Sequence, residues 1–154
     1  MVADSFSFPR ADWLTYFDDS KLSSLALNWD SPTLLVSDVS KAINFYEQIF
    51  HFVPVFVLPD EHNQISFARM RYRGTFFTII NDHDTSGNDY SLSSGEICNT
   101  AFYLYVDNVD NVLSTALAHD ALQIEAPHTD FMGDYRARLM DIFGYIWDIA
   151  CKTS

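Results

Sequence analysis

Two stretches of this chain of 154 residues share one pattern, a capped helix between extended segments. The first, DVSKAINFYEQIFHF, offers Asp38 or Ser40 as the cap of a helix with one apolar face. The second, DNVDNVLSTALAHDAL, predicts a helix that begins at Asp107 or Asp110. One extended run precedes each helix and three follow it, so each half predicts the order βαβββ. The repeat therefore predicts an α+β protein of two tandem βαβββ modules that pack together.

The chain also extends beyond these modules and carries a polar segment between them. Residues 1–30 have apolar side chains at roughly helical spacing, which predicts an N-terminal helical extension. Residues 82–96 are rich in Asn, Asp, Ser and Gly, which predicts a linker. We therefore expect module one at 31–81 and module two at 97–154, together a single domain over 31–154.

Composition and charge argue against several functions. The formal net charge of −12 disfavours nucleic-acid binding, which needs a basic surface. The apolar runs are too short for a membrane span and the N-terminus lacks the pattern of a secretory signal, so we expect a soluble, cytoplasmic protein with no membrane partner. Cys98 and Cys151 are too few for a disulfide framework or a thiolate metal site, which predicts two reduced thiols.

Alternation along the strands assigns side chains to the two faces of each sheet. Ala68 and Met70 in one module, like Ala137 and Leu139 in the other, are expected to face the covering helix. The opposite faces then carry Phe67, Arg69, Arg71, Phe76, Thr78, Ile80, Arg136, Arg138, Met140, Ile146, Asp148 and Ala150. Aromatic rings, arginines and a carboxylate on one face indicate a surface that lines either a cavity or solvent.

No motif in the sequence indicates a catalytic or metal centre. The five histidines lack the short spacings of metal ligands. The segment DHDTSGNDYSLS imitates the start of a calcium loop, but Ser93 stands where such a loop needs Glu. A Gly-x-Ser-x-Gly turn and a glycine-rich phosphate loop are both missing. The residues alone therefore predict no metal and no other cofactor, and leave any catalytic residue unknown.

The sequence resembles one known superfamily. Three segments, LLVSDVSKAINFYEQIF, VDNVDNVLSTALAH and DIFGYIWDIA, resemble the vicinal oxygen chelate superfamily, which includes glyoxalase I, extradiol dioxygenases, fosfomycin resistance enzymes and bleomycin resistance proteins. The resemblance covers Ser31 to Cys151 and departs from the common pattern at His51, where glycine is usual, and at Ile142, where proline is usual. It implies mixed sheets that curl into a half-open cup, commonly completed in a homodimer.

The resemblance also implies where a metal would be held. In metal-dependent members, the first and fourth strands of each module supply His, Gln or Glu ligands. Carried onto this chain, these positions are Ser31, Thr78 or Ile80, Ala101 and Asp148. Only Asp148 has a side chain that suits a divalent metal, so the pattern is closest to metal-free members that resemble bleomycin resistance proteins.

We therefore interpret the chain as a small-molecule binding protein that sequesters an antibiotic or a metabolite. The predicted ligand-binding residues are Phe67, Arg69, Phe76, Thr78, Tyr103, Tyr105, Arg136, Arg138 and Asp148. Inward-pointing arginines favour an anionic ligand, unless they pair with Asp148 or other carboxylates. Two alternatives stay open: a metal-dependent lyase, isomerase or dioxygenase with an atypical site, and a module whose cup is filled by its own side chains, such as Tyr103 and Tyr105.

Overall fold

The computed structural model describes residues 31–82 and 98–153. The predicted N-terminal extension and the predicted linker beyond Asp82 lie outside the described residues, as does the end of the calcium-loop imitation. Over the described ranges the chain forms two modules with the same order of elements, one strand, one helix and three strands. The prediction of tandem βαβββ modules is confirmed.

The two modules have matching topologies. Module one consists of β1 Thr33–Val36, α1 Val39–Phe50, β2 Val53–Pro59, β3 Ile65–Tyr72 and β4 Thr75–Asn81. Module two consists of β5 Ala101–Tyr105, α2 Val109–Ala118, β6 Leu122–Thr129, β7 Asp134–Met140 and β8 Ile146–Lys152. The strand orders are β1-β4-β3-β2 and β5-β8-β7-β6, with the first pair parallel and the others antiparallel. The two mixed sheets together have a cup-like arrangement, and neither α1 nor α2 is long and apolar enough to cross a bilayer.

The two helices begin at side-chain caps. The carboxylate of Asp38 accepts the backbone N–H of Lys41 at 2.9 Å, which confirms one of the two candidate caps of α1. The helix ends at His51, which adopts the left-handed conformation with φ of 60°. Glycine would reach this conformation without steric cost, which explains why glycine is usual at this position in the superfamily that the sequence resembles.

The predicted start of the second helix at Asp107 or Asp110 is wrong. Asn108 caps α2, because its side-chain oxygen accepts the backbone N–H of Asn111 at 2.9 Å. Asn and Asp cap helices about equally well, so the residue types alone did not separate three adjacent candidates. Asp107 instead forms an exposed ion pair with Arg73 of module one.

Burial and strand register support the predicted faces. Ala68, Met70, Ala137 and Leu139 are fully buried on the helix side of their sheets. On the other side, Arg138 lies opposite Asp148 in the β7–β8 ladder. Side chains two apart therefore share a face throughout these strands, as the alternation requires.

Aromatic rings hold the two modules against each other. Trp147 of module two lies 4.8 Å from Phe50 and 6.1 Å from Phe52 of module one, measured between ring centroids. It also lies 4.9 Å from Phe102 in its own module. Such aromatic pairs contribute roughly 0.5–1.5 kcal/mol each beyond the area they bury. The ring of Trp147 is therefore part of both the core and the boundary between modules.

A buried carboxylate reinforces this boundary. One oxygen of Asp141 accepts the backbone N–H groups of Phe143 at 2.8 Å and Tyr145 at 3.0 Å. The other accepts the hydroxyl of Tyr46 at 2.7 Å and the indole N–H of Trp147 at 2.8 Å. Burial raises the pKa of Asp141, and these four hydrogen bonds oppose the rise. Because Tyr46 lies in α1, the carboxylate joins module one to module two.

The first prediction concerns this carboxylate. Asp141→Asn places an N–H₂ group against the hydroxyl of Tyr46 or the indole of Trp147, so a buried donor loses its acceptor. We expect the free energy of unfolding to fall by about 1–3 kcal/mol, measured by urea denaturation. Tyr46→Phe is the matched control, because it removes one of the four bonds and should cost only about 0.5–1.5 kcal/mol. A smaller loss in Asp141→Asn than in Tyr46→Phe would contradict the role of Asp141 as the common acceptor.

Candidate functional site

The helix-free face of the module-two sheet collects most of the predicted site residues. Neighbouring strands place Tyr103 beside Asp148 and Asp148 beside Arg138. The next row places Tyr105 beside Ala150 and Ala150 beside Arg136. We call this surface, formed by these residues with Asp134 and Lys152, the polar face. Strand parity predicted that Arg136, Arg138 and Asp148 share this face, and Tyr103 and Tyr105, predicted as aromatic walls, lie on it as well.

Asp148 is at the centre of the polar face and is bound by two arginines. The guanidinium of Arg138 donates from Nε to Oδ1 at 2.8 Å and from Nη2 to Oδ2 at 2.9 Å, a bidentate pair. Arg136 donates from Nη1 to Oδ1 at 2.6 Å. Burial acts to raise the pKa of Asp148, but the hydrogen bonds from Arg138 and Arg136 outweigh it and hold the pKa below its usual value.

Further carboxylates balance the positive charge of Arg136. Its guanidinium lies 3.0 Å from Glu125 and 3.7 Å from Asp130, in addition to Asp148. Its side chain is only 13% exposed, whereas that of Arg138 is 38% exposed. Arg138 has N–H groups beyond the two that bind Asp148, so it is the arginine of this pair that can donate to a ligand.

A second carboxylate organises the two tyrosines. Asp134, which is 1% exposed, accepts the hydroxyl of Tyr105 at 2.6 Å and that of Tyr103 at 3.2 Å. It also receives the ammonium of Lys152 at 2.6 Å. Hydrogen bonds from Lys152 and Tyr105 hold the pKa of Asp134 below its usual value, and burial together with the bond to Asp134 raises the pKa of Tyr103. Tyr103 is therefore a neutral donor and not a proton acceptor near neutral pH.

Sequence reasoning missed four charged residues of this network. Asp134 and Lys152 share the strand parity of Arg136 and Asp148, so extending the alternation to the strand ends would have found them. The alternation of side chains along a strand could not have identified Glu125 and Asp130. Two register shifts interrupt β6, and Asp130 lies in the turn between β6 and β7.

The remaining predicted residues form a separate group on module one. Phe67 lies opposite Ile80 and Arg69 lies opposite Thr78 in the β3–β4 ladder. The guanidinium carbon of Arg69 is 5.9 Å from the centroid of the Phe67 ring. Thr78 is buried, so it offers a ligand little surface. Module one thus contributes a more apolar surface than the polar face of module two.

A cleft opens between the two modules at the start of β4 and β5. Its volume is about 270 Å³, and we call it the seam cleft. It is lined by Pro32, Leu34, Phe52, Thr75, Phe76, Phe77, Phe102, Tyr103, Leu104 and Trp147. Two predicted site residues, Phe76 and Tyr103, belong to this lining. Tyr103 therefore belongs to the lining of the seam cleft, and its hydroxyl is part of the polar face.

Comparison with solved structures identifies the fold. A glyoxalase/bleomycin resistance protein/dioxygenase family enzyme from Burkholderia phytofirmans is 20% identical with a TM-score of 0.65, over 82% of this chain and all of that chain. TioX from Micromonospora is 17% identical with a TM-score of 0.60, over 80% of this chain and 99% of that chain. FosX from Listeria monocytogenes, a fosfomycin resistance protein solved with Mn(II) and sulfate, is 18% identical with a TM-score of 0.59, over 82% and 93%. This chain has the glyoxalase/bleomycin resistance fold.

Sequence comparison adds relatives without a described activity. Uncharacterised proteins of Mycobacterium bovis and Mycobacterium tuberculosis are 28% identical over 123 residues, which is 77% of this chain and 80% or 71% of theirs. No family model matches the chain. The assignment of this chain to the glyoxalase/bleomycin resistance fold therefore rests on the comparison of structures.

The residues at the metal-ligand positions of this fold do not fit a divalent cation. Ala101 has no donor atom, and the hydroxyl of Ser31 donates to the carbonyl of Phe76 at 3.1 Å. Both oxygens of Asp148 receive arginine N–H groups, so a cation there would have to displace two guanidinium groups. Across residues 31–82 and 98–153, no cluster of three or more His, Cys, Asp or Glu side chains is arranged to hold a metal.

The second prediction follows from the lowered pKa of Asp148. A lowered folded-state pKa stabilises the fold above the unfolded pKa of about 3.9, and this contribution is lost as the pH falls through the folded-state value. Asp148→Asn should therefore reduce the free energy of unfolding by about 1–3 kcal/mol at neutral pH. The difference from wild type should shrink in urea titrations carried out below a pH of about 3.9.

Asp107→Asn is the control for this experiment. It removes an exposed ion pair with Arg73, and such pairs contribute at most about 1 kcal/mol. The ion-pair assignment would be contradicted if Asp148→Asn lowered the free energy of unfolding no more than Asp107→Asn does. It would also be contradicted if the decrease caused by Asp148→Asn did not change with pH.

Proposed function

We propose that this protein is a metal-independent member of the glyoxalase/bleomycin resistance superfamily that binds, and thereby sequesters, a small organic molecule. The observation that carries the proposal is the engagement of both Asp148 oxygens by Arg136 and Arg138. At the position where a metal-dependent relative would place a ligand, the charge is already neutralised by the chain itself. The polar face then recognises organic groups through hydrogen bonds.

The exposed groups of the polar face support small-molecule binding. Tyr103 and Tyr105 are 40% and 41% exposed, and their rings lie 5.4 Å apart in an edge-to-face arrangement. Their hydroxyls are fixed by Asp134, so the rings are held in place before a ligand arrives. Rigid aromatic surfaces beside a few oriented polar groups are typical of ligand sites. Arg138 supplies an oriented donor on the same face.

The charges of the polar face favour neither a strongly cationic nor a strongly anionic ligand. Three cationic side chains, Arg136, Arg138 and Lys152, contact four carboxylates, Glu125, Asp130, Asp134 and Asp148. The nearly balanced set supports hydrogen bonding as the main source of selectivity. We therefore propose a ligand that combines ring surface with a hydrogen-bond acceptor for Arg138.

The third prediction tests binding by thermal melting. Purified protein in EDTA is titrated with antibiotics, including bleomycin and fosfomycin, and with neutral and anionic aromatic metabolites. A ligand at 100 times its Kd stabilises the folded state by about 2.7 kcal/mol, so we expect a concentration-dependent rise in Tm with EDTA present. Arg138→Met should weaken the binding of such a ligand about tenfold, the equivalent of 1.4 kcal/mol.

Lys41→Met is the control variant, because Lys41 is an exposed residue of α1 with a comparable chain length. It should bind as wild type does. A rise in Tm that requires Mn(II) and disappears with EDTA would contradict the proposal and favour a metal-dependent lyase, isomerase or dioxygenase.

We also propose that the protein acts as a homodimer. Large apolar side chains are exposed on the edge strands β2 and β6 and on the turn after β6: Phe56, Leu58, Leu122, Ile124 and Phe131, with Phe131 97% exposed. Exposed apolar surface of this kind is typical of interfaces.

The proposal places the protein in the cytoplasm. Both cysteines are free thiols, which fits action in this reducing compartment.

The fourth prediction is a dimer in sedimentation equilibrium at micromolar concentration. Leu58→Glu and Ile124→Glu place charges on the two edge strands, and at least one of them should shift the equilibrium towards monomer. Glu61→Asp, at an exposed position in the turn after β2, preserves charge and should leave it unchanged. A wild-type protein that sediments as a monomer throughout the concentration series would contradict the dimer.

A further inference from the structure

The seam cleft has the chemistry of a site for an uncharged ring. Six of its lining residues are aromatic, and none of the ten carries a formal charge near neutral pH. Phe52, Phe77 and Trp147 are at most 4% exposed, so they form a fixed floor. A charged group placed there would lose its hydration without gaining a partner, which costs several kcal/mol. The lining therefore selects for neutral ligands.

The size of the cleft and the geometry of its rings restrict the class of ligand further. An apolar cavity of about 150 Å³ holds benzene, so about 270 Å³ accommodates a substituted ring or a fused pair. The rings of the lining already meet edge to face, as Phe52 and Phe77 do at 4.7 Å and 81°. A flat aromatic guest would extend the same arrangement, whereas a saturated ring would not.

Tyr103 connects the cleft to the polar face. Tyr103 is one of the lining residues, and in the strand ladder it is one position from Asp148 and two from Arg138. Strands lie about 4.8 Å apart, so Arg138 is roughly 10 Å across the sheet from Tyr103. Arg138 lies on the polar face, whereas Phe77 and Trp147 of the cleft floor face the helix side of their sheets, so Tyr103 is the residue that the two surfaces share.

We propose that the seam cleft binds an uncharged aromatic ring of the ligand, next to the polar face at Tyr103. The inference rests on the proposed function, since it divides one binding site into a ring subsite and the polar face. It names the ligand class as aromatic compounds of one or two uncharged rings.

The test uses the fluorescence of Trp147, which forms part of the cleft. The chain has three tryptophans, so Trp13→Phe and Trp29→Phe are introduced together to leave Trp147 as the reporter. The full-length protein is titrated with p-xylene, a neutral ring without polar groups, and with methylcyclohexane, benzylammonium and benzoate. We expect p-xylene to change the fluorescence saturably and to raise Tm, and the other three to bind at least about tenfold more weakly.

Two variants close the cleft from opposite sides. Thr75→Phe and Pro32→Phe enlarge exposed lining residues, and each should weaken p-xylene binding about tenfold or more. Thr75→Val keeps the volume of threonine and is the matched control, with binding within about twofold of the parent, which corresponds to less than 0.5 kcal/mol. A second closing variant keeps the test valid if one of them fails to fold.

The outcomes separate this inference from the proposed function. Equal binding of methylcyclohexane, or p-xylene binding that neither closing variant weakens, overturns the ring subsite. An organic ligand that raises Tm without any change in Trp147 fluorescence also overturns it, while the proposed function stands. Saturable p-xylene binding that both variants abolish supports the ring subsite even if no compound of the melting panel binds, in which case the proposed function fails.

Discussion

The arrangement of the two modules depends on the hydrogen bonds that the carboxylate of Asp141 accepts. It accepts four hydrogen bonds from Tyr46, Phe143, Tyr145 and Trp147, so one side chain fixes the turn before β8, the indole in the boundary and the helix of the other module. The hydroxyl of Tyr145 then accepts the N–H of Leu35 and donates to its C=O, both at 2.8 Å, at the open edge of β1. Moving Asp141 would therefore displace the seam cleft and the polar face together.

On the polar face, arginines supply the positive charge that compensates Asp148. A buried carboxylate without a counter-charge is costly, and in this fold a divalent cation is one means of compensating it. Here two guanidinium groups compensate Asp148, and Glu125 and Asp130 in turn compensate Arg136. Such a network is stable only if its members are satisfied, which explains why it extends to the turn after β6. The result is a hydrogen-bonding surface whose donors and acceptors are oriented by ion pairs.

The sequence predicted the fold and the faces of the strands well, because both follow from local periodicity. The alternation in β7 and β8 correctly placed Arg136, Arg138 and Asp148 on one surface. It left open whether the arginines point at a ligand or pair with Asp148, since parity gives the face of a side chain and not its partner, and the structure shows the pairing. The cap of α2 was misassigned because Asp107, Asn108 and Asp110 have similar capping propensities. The seam cleft was not predicted, because it depends on how two modules meet and no single segment encodes that.

The central claim is that Asp148 is held by arginines and not by a metal. Isothermal titration calorimetry of Mn(II) into metal-stripped protein tests it most directly, with Asp148→Asn measured in parallel. The account predicts only weak binding, of the kind an acidic surface gives, and the same heat in both proteins. Binding at one Mn(II) per chain that is lost in Asp148→Asn would contradict it.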